Sequence, residues 1–306
     1  MRQIILSAYE QPPVPQDVTL RDPRDGEALV RTAAAALNPL DVKLQRGQAD
    51  AYFPLNFPSA IGTDLAGTVE KTGSLTSPWR AGDRVMARLD PTNGGAFAQF
   101  AIVPEDQLVL VPDGMALNAA AGIPTAAATA WQALVETAKL QPGQTVLVHA
   151  GTGGVGSFAI QFAKGLGARV IATASGDGVQ IARELGADQV IDYRSEDFAR
   201  RVSDVDVVLD TIGGETQQRS FDALRTGGKL ISVVAPPDEA LAAAHKVAVA
   251  FVYHASNRQR LSEVARTIRA GNHTVLIDSI FPIGSFAEAF ERQASGRARG
   301  KIILTF

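Results

Sequence analysis

Residues 150–156 contain three glycines in the spacing G-x-G-x-x-G, at Gly151, Gly153 and Gly156. Glycine at these places allows a tight turn, a close approach of the backbone to a ligand, and close helix–sheet contact. An apolar run, Val146–His149, precedes the motif, and a helical pattern, Val155–Leu166, follows it. Free N–H groups at such a helix N-terminus bind the pyrophosphate of a dinucleotide, although a purely structural glycine turn is the alternative. The predicted dinucleotide-binding residues of this turn are Gly151, Thr152, Gly153, Gly154 and Val155.

The end of the next strand bears on the choice between NAD and NADP. NAD sites place an Asp or Glu there, about 20 residues after the glycines, to bind the ribose 2′-hydroxyl. Here the predicted strand Arg169–Ala174 leads into Ser175 and Gly176, with no acid at its tip. A small hydroxyl leaves room for a 2′-phosphate and can donate to it, so the pattern favours NADPH. Asp177 follows directly, and NAD stays the alternative because this carboxylate could turn toward the ribose.

The 306-residue chain contains no cysteine and four histidines, which show neither HxxxH nor HExxH spacing. This composition excludes disulfides, a thiolate nucleophile and cysteine-liganded zinc, and we expect no metal site. The 29 Lys and Arg residues against 32 Asp and Glu give a formal charge of −3. Because polyanion binding requires a basic surplus or a basic stripe, we expect no nucleic-acid partner.

The chain has no segment that is typical of membrane insertion or secretion. Its N-terminal apolar stretch is too short for a signal peptide. No run approaches the roughly 18 apolar residues that a membrane span requires. We therefore expect a cytoplasmic protein without a membrane partner.

Two kinds of pattern divide the chain. The first third has short strand-like runs separated by turn residues such as Asp25-Gly26 and Asn93-Gly94-Gly95, which predicts an antiparallel, barrel-like β domain. An Ala-rich helical stretch, Leu117–Leu140, follows, and strands then alternate with helices. This alternation predicts an α/β fold with a doubly wound parallel sheet. The last helix and strand, 285–294 and 301–305, fit either domain on pattern alone.

Several further segments resemble the medium-chain dehydrogenase/reductases, and nearly the whole chain takes part in the resemblance. Besides the glycine turn, the segments are Asn38–Lys43, Gly62–Val69, Gly82–Val85, Gly95–Phe100, Leu185–Asp188, Asp192–Arg194 and Arg299–Leu304. Within this superfamily the chain is most similar to the zinc-independent quinone oxidoreductase and alkenal (enone) reductase branch.

The resemblance implies a domain arrangement and the absence of zinc. A Rossmann dinucleotide-binding domain, 118–272, would be inserted into a smaller, mostly β, GroES-like barrel catalytic domain of residues 1–117 and 273–306, with the nicotinamide in the cleft between them. Zinc-dependent relatives carry metal ligands where this chain has Asn38, Thr63-Asp64 and a residue near Thr125. Without a Lewis acid, an alcohol is a poor hydride donor, so an electron-poor acceptor is favoured as substrate.

The resemblance also suggests catalytic residues. Asn38 would lie beside the nicotinamide, where its amide could donate to a substrate oxygen that gains charge; a turn-capping role is the alternative. Lys43 could hold a developing enolate, or it could form a surface pair with Asp41. Tyr52 could bind the acceptor or donate a proton, although a packing role in a partly buried position is favoured. We interpret His149 as a packing residue.

Further cofactor contacts are implied in the same way. Thr125 resembles a position against the nicotinamide, with a helix cap as the alternative. Tyr193 resembles a tyrosine near the adenosine 2′-phosphate, and Arg183 or Arg194 could replace a lysine that many relatives carry. The full set of implied contacts outside the glycine turn is Asn38, Thr125, Ser175, Tyr193, Val234, Ala235, Phe251, Val252 and Lys301.

Together these features predict a metal-free NADPH-dependent reductase. It would transfer a hydride to a quinone or to the C=C bond of an α,β-unsaturated carbonyl. The alternative is an NADPH-binding structural or regulatory protein with little turnover. The resemblance further suggests a homodimer formed through the strand near Val247–Tyr253.

Overall fold

The computed structural model describes residues 1–254 and 257–306. The described chain forms two compact units. Unit one consists of residues 1–125, 257–269 and 277–306, and unit two of residues 126–254 and 270–276. The predicted α/β class is confirmed, since one unit holds a parallel sheet and the other a mostly antiparallel one.

The strands and helices are numbered along the chain. The strands are β1 (Arg2–Leu6), β2 (Val14–Asp17), β3 (Glu27–Ala36), β4 (Ser59–Ala60), β5 (Asp64–Thr72), β6 (Arg84–Arg88), β7 (Phe100–Pro104), β8 (Val109–Leu110), β9 (Thr145–Val148), β10 (Arg169–Ala174), β11 (Gln189–Asp192), β12 (Val205–Asp210), β13 (Leu224–Ser232), β14 (Ala248–Phe251), β15 (Ile277–Pro282) and β16 (Lys301–Thr305). The α-helices are α1 (Pro39–Gln45), α2 (Leu117–Ala121), α3 (Ala126–Trp131), α4 (Gly154–Gly165), α5 (Gly178–Glu184), α6 (Phe198–Arg201), α7 (Gly214–Arg219), α8 (Glu239–His245), α9 (Arg258–Ala270) and α10 (Phe286–Ala294).

The sheet of unit one is organised around β3. This strand pairs antiparallel with β5, β7 and β16, and β16 pairs parallel with β15. Its Ala34–Ala36 segment is fully buried and lies between β5 and β16. The strand pairing therefore brings the polar residues at the starts of β5 and β16 close to the start of α1.

The sheet of unit two is parallel, with the strand order β11-β10-β9-β12-β13-β14. In sequence order within the sheet this is 3-2-1-4-5-6, the order of the dinucleotide-binding doubly wound fold. Near-continuous apolar strands such as Val146–Val148 are fully buried, as expected for a parallel sheet covered on both faces. Ligands of such sheets bind at the carboxyl ends of the strands.

The region after residue 116 differs from the predicted single helix 117–140. Helix α2 ends at Ala121, and α3 begins only after Pro124-Thr125 and continues as a π-helical turn over Gln132–Thr137. Proline cannot donate a helical hydrogen bond and disfavours helix in the preceding residue, which explains the break. Because α2 packs on β3 and β5, residues 118–125 belong to unit one. The predicted domain bounds of 118 and 272 stay a prediction.

Two smaller differences concern unit one. Residues 96–103 are one of the strand-like runs of the first third, but strand β7 begins only at Phe100, and Ala98 forms an isolated bridge to Gln3. The N-terminal strand β1, which was not predicted, forms a separate three-stranded sheet with β2 and β4.

Within the described residues, the structure contains no helix long and apolar enough to traverse a bilayer.

Candidate active site

The glycine turn lies at the carboxyl end of β9, in the centre of the parallel sheet. Ala150 has a left-handed backbone with φ 46°, and Gly153 is the N-cap of α4. Gly151 N donates to Thr173 O at 2.8 Å, and Gly153 N donates to Ala150 O at 2.8 Å. These bonds fold the turn back on itself, so the first N–H groups of α4, which have no intrahelical acceptor, face outward from the strand end.

Sterics explain the glycines and show that the turn fits a pyrophosphate. A Cβ on Gly151 would lie 2.8 Å from Ala172 Cβ, and one on Gly156 would lie 2.2 Å from Ala150 O. A Cβ on Gly153 would come within 3.2 Å of the same carbonyl. The turn, the sheet and the helix are therefore in direct backbone contact. Glycine turns with this close packing between strand and helix are typical of pyrophosphate binding at the helix N-terminus.

Ser175 and Tyr193 meet at the ends of β10 and β11. Ser175 Oγ donates to Tyr193 Oη at 2.9 Å, and Tyr193 N donates to Ala174 O at 3.1 Å. Ser175 is buried, whereas the Tyr193 side chain is 56% exposed. Asp177 stands in the exposed N-cap position of α5. The two strand ends thus present two hydroxyl groups, and Asp177 follows Ser175 by two residues.

The two arginines considered for this region, Arg183 and Arg194, are exposed. Within the part of the chain that the structure describes, their guanidinium groups form no hydrogen bond or ion pair. Arg194 directly follows Tyr193, and its backbone N–H donates to Asp192 Oδ1 at 3.0 Å. Both guanidinium groups are therefore available to bind a phosphate.

A network that the sequence analysis missed organises the ends of β12 and β13. Asp210 is fully buried, and its carboxylate accepts four hydrogen bonds of 2.8–2.9 Å. The donors are the backbone N–H groups of Ile212 and Gly213 and the side chains of Gln217 and Ser232. The available signal was its place directly after an apolar strand, at the ligand-binding edge of the sheet.

The predicted nicotinamide contacts follow β13 and end β14. Val234 N and Ala235 N point at Ser232 Oγ, at 3.3 and 3.4 Å, and Ala235 O accepts from Gln217 Nε2 at 3.1 Å. Phe251 is 37% exposed, whereas Val252 is buried and its backbone N–H donates to Ser232 O. The sheet thus brings these four residues to one edge, where Ser232 links them.

Unit one contains a buried polar cluster around Asn38. Lys301 Nζ donates to Asn38 Oδ1 at 2.5 Å and to Leu37 O at 2.8 Å. Asn38 Nδ2 contacts Asp64 Oδ2 at 3.0 Å and Thr63 Oγ1 at 3.4 Å. These polar side chains are at most 4% exposed. The contacts orient the amide, with its oxygen toward the cation and its nitrogen toward the carboxylate.

Thr125 and Arg88 extend the hydrogen-bond network of this cluster. Asp64 Oδ1 accepts from Thr125 Oγ1 at 2.6 Å, and Asp64 Oδ2 accepts from Thr125 N at 3.1 Å. Arg88 Nε donates to Thr125 Oγ1 at 3.1 Å. Lys301 Nζ lies 3.8 Å from Asp64, and burial lowers the pKa of this lysine while the nearby carboxylates oppose the shift. Asn38 therefore contacts Thr63 and Asp64, and Asp64 links this group to Thr125.

Asp41 lies beneath this cluster in the first turn of α1. Its Oδ2 accepts from the Asn38 backbone N–H at 2.7 Å, whereas its buried Oδ1 has no hydrogen-bond partner. Burial raises the pKa of Asp41 to about 7, and the Asn38 N–H bond opposes that shift. Asp41 is thus a helix-capping residue in the interior and not the surface partner of Lys43.

The remaining two catalytic candidates lie outside the cluster. Lys43 is half-buried on α1, and within the described chain its ammonium forms no hydrogen bond or ion pair. Tyr52 is 63% exposed in the loop after α1, and its backbone N–H donates to Ala49 O at 3.0 Å. Both side chains are accessible to a small molecule, which distinguishes them from Asn38 and Lys301.

The donor set at Asn38, Thr63, Asp64 and Thr125 does not fit zinc. A tetrahedral zinc site uses Cys, His and carboxylate ligands, whereas this cluster offers one carboxylate that two other groups already bind. The Lys301 ammonium, 3.8 Å from that carboxylate, would also repel a second cation. No group of three His, Cys, Asp or Glu residues in the described ranges has a metal-binding arrangement.

Family models match two segments of the chain. Residues 24–113 match the alcohol dehydrogenase GroES-like domain, and residues 185–304 match the zinc-binding dehydrogenase family. The first match covers β3 and the Asn38–Asp64 cluster, and the second covers most of the parallel sheet after β10.

Individual proteins match over the whole fold. An NADPH-dependent alkenal/one oxidoreductase of Arabidopsis thaliana, described as chloroplastic, is 33% identical over 94% of this chain and 74% of its own. The solved structure of the Escherichia coli quinone oxidoreductase complexed with NADPH superposes with a TM-score of 0.90 at 27% identity, over 100% of both chains. A solved NAD-dependent alcohol dehydrogenase superposes with a TM-score of 0.93 at 28% identity, also over 100% of both chains.

Proposed function

Because the chain belongs to the medium-chain dehydrogenase/reductase superfamily, whose relatives here include NAD(P)H oxidoreductases, we propose that it is an NADPH-dependent, zinc-independent reductase of quinones or α,β-unsaturated carbonyls. The observation that carries the proposal is the glycine turn at the end of β9. Its backbone contacts leave no room for a side chain at Gly151 or Gly156, and its helix N-terminus faces the ligand-binding edge of the sheet. The names of the quinone and alkenal/one relatives support the acceptor class.

The choice of NADPH is supported by the tips of β10 and β11. The Tyr193 hydroxyl accepts from Ser175 and can donate its own proton to a 2′-phosphate, and the side chain of the neighbouring Arg194 is free to bind that phosphate. We therefore propose that these three residues hold the 2′-phosphate. The solved relatives include NAD-dependent and NADPH-bound proteins, so the proposal rests on these side chains.

The chemistry needs few groups from the protein. When bound, the dihydronicotinamide supplies a hydride. Val234, Ala235, Phe251 and Val252 would orient its ring from the edge formed by β13 and β14. Thr125 would contribute from the buried cluster. Holding the two reactants in one orientation contributes a large part of the rate enhancement in reactions of this kind.

The acceptor oxygen gains negative charge as the hydride adds to carbon. We propose that the accessible Lys43 ammonium stabilises that charge and that the Tyr52 hydroxyl donates a proton to it or binds the acceptor. Asn38 contributes directly if its longest contact, the 3.4 Å one to Thr63, is exchanged for the substrate oxygen. Lys301 and Asp64 hold the Asn38 amide in place for that exchange.

A comparison of cofactor oxidation rates tests the proposal. Chelator-treated protein is assayed with NADPH and NADH against quinones, enals, enones and simple aldehydes. We expect turnover of conjugated acceptors with NADPH, and a kcat/KM that falls about 10–100-fold in Asn38→Ala but not in the exposed control Asn93→Ala. Tight NADPH binding without turnover of any acceptor would instead indicate a structural or regulatory protein. Preference for NADH would contradict the role of Ser175.

We also propose a homodimer. Strand β14 pairs only with β13 within the described chain, so its other edge is open. Phe251 and Tyr253 leave apolar surface exposed near that edge, at 37% and 42%. An open edge with apolar neighbours is a surface on which a second copy can continue the sheet.

A further inference from the structure

His149 is a buried imidazole that the proposed reaction does not use. It is 1% exposed and lies between β9 and Ala150, at the entrance to the glycine turn. Its backbone N–H donates to Leu209 O at 3.1 Å, and its carbonyl accepts from Thr211 Oγ1 at 2.8 Å. The imidazole packs edge-on against the Phe198 ring, with 4.7 Å between the ring centres. The ring is therefore held rigidly from several sides.

The hydrogen bonds of Ser220 determine which imidazole nitrogen carries the proton. Ser220 Oγ lies 2.6 Å from Thr216 O and 2.9 Å from His149 Nε2. A hydroxyl has one proton, and two oxygens 2.6 Å apart need that proton between them. Ser220 therefore donates to Thr216 O and can only accept from His149. It follows that Nε2 carries the hydrogen.

The other nitrogen continues the chain toward the glycine turn. Burial lowers the pKa of His149 to about 4, with Asp210 opposing the shift, so the ring is neutral at pH 7 and Nδ1 is an acceptor. Thr173 Oγ1 lies 3.3 Å from Nδ1 and accepts from Ala150 N at 3.1 Å. The Thr173 proton thus points at Nδ1, and its lone pair faces the Ala150 N–H. One directed chain runs from Ala150 through Thr173 and His149 to Ser220.

Ala150 is the residue that needs this support. Its left-handed backbone, φ 46°, is unfavourable for a residue with a Cβ, by roughly 1 kcal/mol or more. Its carbonyl accepts from Gly153 N–H and is the group that a Cβ on Gly156 would meet first. The orientation of Ala150 therefore determines where the first N–H groups of α4 point.

We propose that His149, as the neutral Nε2–H tautomer, is a positioning residue for dinucleotide binding, which acts through Thr173 on the Ala150 backbone. It makes no contact with the dinucleotide itself. The inference rests on the proposed cofactor function and extends it to a residue three steps from the phosphates.

Two substitutions at position 149 separate positioning from packing. The side-chain oxygen of Asn lies as many bonds from the backbone as Nδ1 of His149 and can still accept from Thr173. The amide group of Gln lies one bond farther out, at the position of Nε2, and therefore does not replace the Nδ1 acceptor. We therefore expect His149→Gln to raise the Kd for NADPH about five- to tenfold, which corresponds to the loss of one neutral hydrogen bond, and His149→Asn to raise it less. Thr173→Val removes the middle link, and we expect it to behave as His149→Gln does.

The controls separate this inference from the proposed function. Thr226→Val makes the same change at an exposed threonine of unit two and should leave the Kd for NADPH unchanged. Circular dichroism melting identifies any variant that fails to fold. If the native protein binds neither NADPH nor NADH, the proposed function is wrong and the inference with it. If the native protein binds NADPH, and His149→Asn, His149→Gln and Thr173→Val bind it as tightly as the native protein does, the inference alone is wrong.

A spectroscopic readout requires no variant and no cofactor. Nitrogen-15 NMR of the apo protein at pH 7 should show His149 with a protonated Nε2 and an unprotonated Nδ1. A protonated Nδ1 would contradict the proposal, because Thr173 would then have no acceptor at the imidazole. Steady-state kinetics give a second readout: with NADPH varied and the acceptor at saturation, we expect KM for NADPH in His149→Gln to change more than kcat.

Discussion

Two ionisable residues, Asp41 and His149, are buried in ways that shift their pKa values away from the ordinary range. Burial raises the pKa of Asp41 to about 7 and lowers that of His149 to about 4. Both shifts favour the neutral side chain. The folded protein binds more protons than the unfolded chain at Asp41 and fewer at His149, so the two residues contribute to the pH dependence of stability with opposite signs.

The contribution of Asp41 can be isolated with an uncharged replacement. Its folded pKa exceeds the unfolded value near 3.9, so its stabilising contribution is complete below about pH 4 and is lost as the pH rises through about 7. In Asp41→Asn the amide oxygen can keep the 2.7 Å contact to Asn38 N, but there is no charge to bury. We therefore expect the free energy of unfolding of Asp41→Asn, relative to the native protein, to increase from pH 5 to pH 8.

Urea unfolding at the two pH values measures this difference. Each pH unit within the titration window changes the free energy of unfolding by about 1.4 kcal/mol at most. The charged groups facing Asp41 are Asp64, Lys301 and Arg88, and all three are retained in the variant. The exposed Asp25→Asn serves as the control and should show no such change. Equal differences at pH 5 and pH 8 would mean that Asp41 is already ionised at pH 5.

At the scale of elements, helix α4 combines the proposed cofactor binding with sheet packing. It begins at the glycine turn and is buried continuously over residues 156–163, with Phe158, Ile160 and Phe162 as its large side chains. Gly156 is in its first turn, where a Cβ would lie 2.2 Å from the Ala150 carbonyl, whereas Gly165 is in its last turn and faces open space. The same substitution at these two positions therefore has different expected effects.

We expect Gly156→Ala to lower stability by about 1–3 kcal/mol and to weaken NADPH binding strongly, because the helix must move away from the turn. Gly165→Ala should leave NADPH binding unchanged and raise stability by up to about 1 kcal/mol, since Ala favours helix more than Gly does. Denaturant unfolding and fluorescence titration with NADPH measure the two effects. Native-like NADPH affinity in Gly156→Ala would show that the turn does not bind the pyrophosphate.

At the scale of the whole molecule, the association of two chains depends on the edge strand β14. Its pairing with β13 leaves one row of backbone groups open, and Ala248 on this strand is exposed. A charged side chain at such an edge discourages strand pairing. The edge therefore offers a specific way to disrupt the proposed homodimer.

Light scattering coupled to size-exclusion chromatography tests the homodimer. We expect about twice the 32.2 kDa chain mass for the native protein. Ala248→Lys should shift the mass toward that of the monomer. Ala244→Lys, which makes the same change on α8 away from the sheet edge, should keep the dimer. A native protein that elutes with the monomer mass would contradict the proposed dimer.

The amino-acid sequence determined the parallel sheet and its glycine turn, because both arise from local patterns. Alternating apolar runs and helical spacings specify strands and helices within a few residues. The G-x-G-x-x-G motif occupies only 151–156. The break at Pro124 follows from a local rule as well, although the Ala-rich pattern of 117–140 favoured a continuous helix.

The tertiary structure decided which polar side chains meet. Lys301 binds Asn38 across 263 residues, Thr125 binds Asp64 across 61, and His149 meets Ser220 across 71. Such contacts depend on strand register and on the packing of distant elements, which no local pattern encodes. The family resemblance placed Asn38, Asp64 and Thr125 in one region. Only the packed structure shows that Lys301 orients the Asn38 amide. It also shows that the buried His149 is hydrogen-bonded to Thr173, which in turn binds the backbone of the glycine turn.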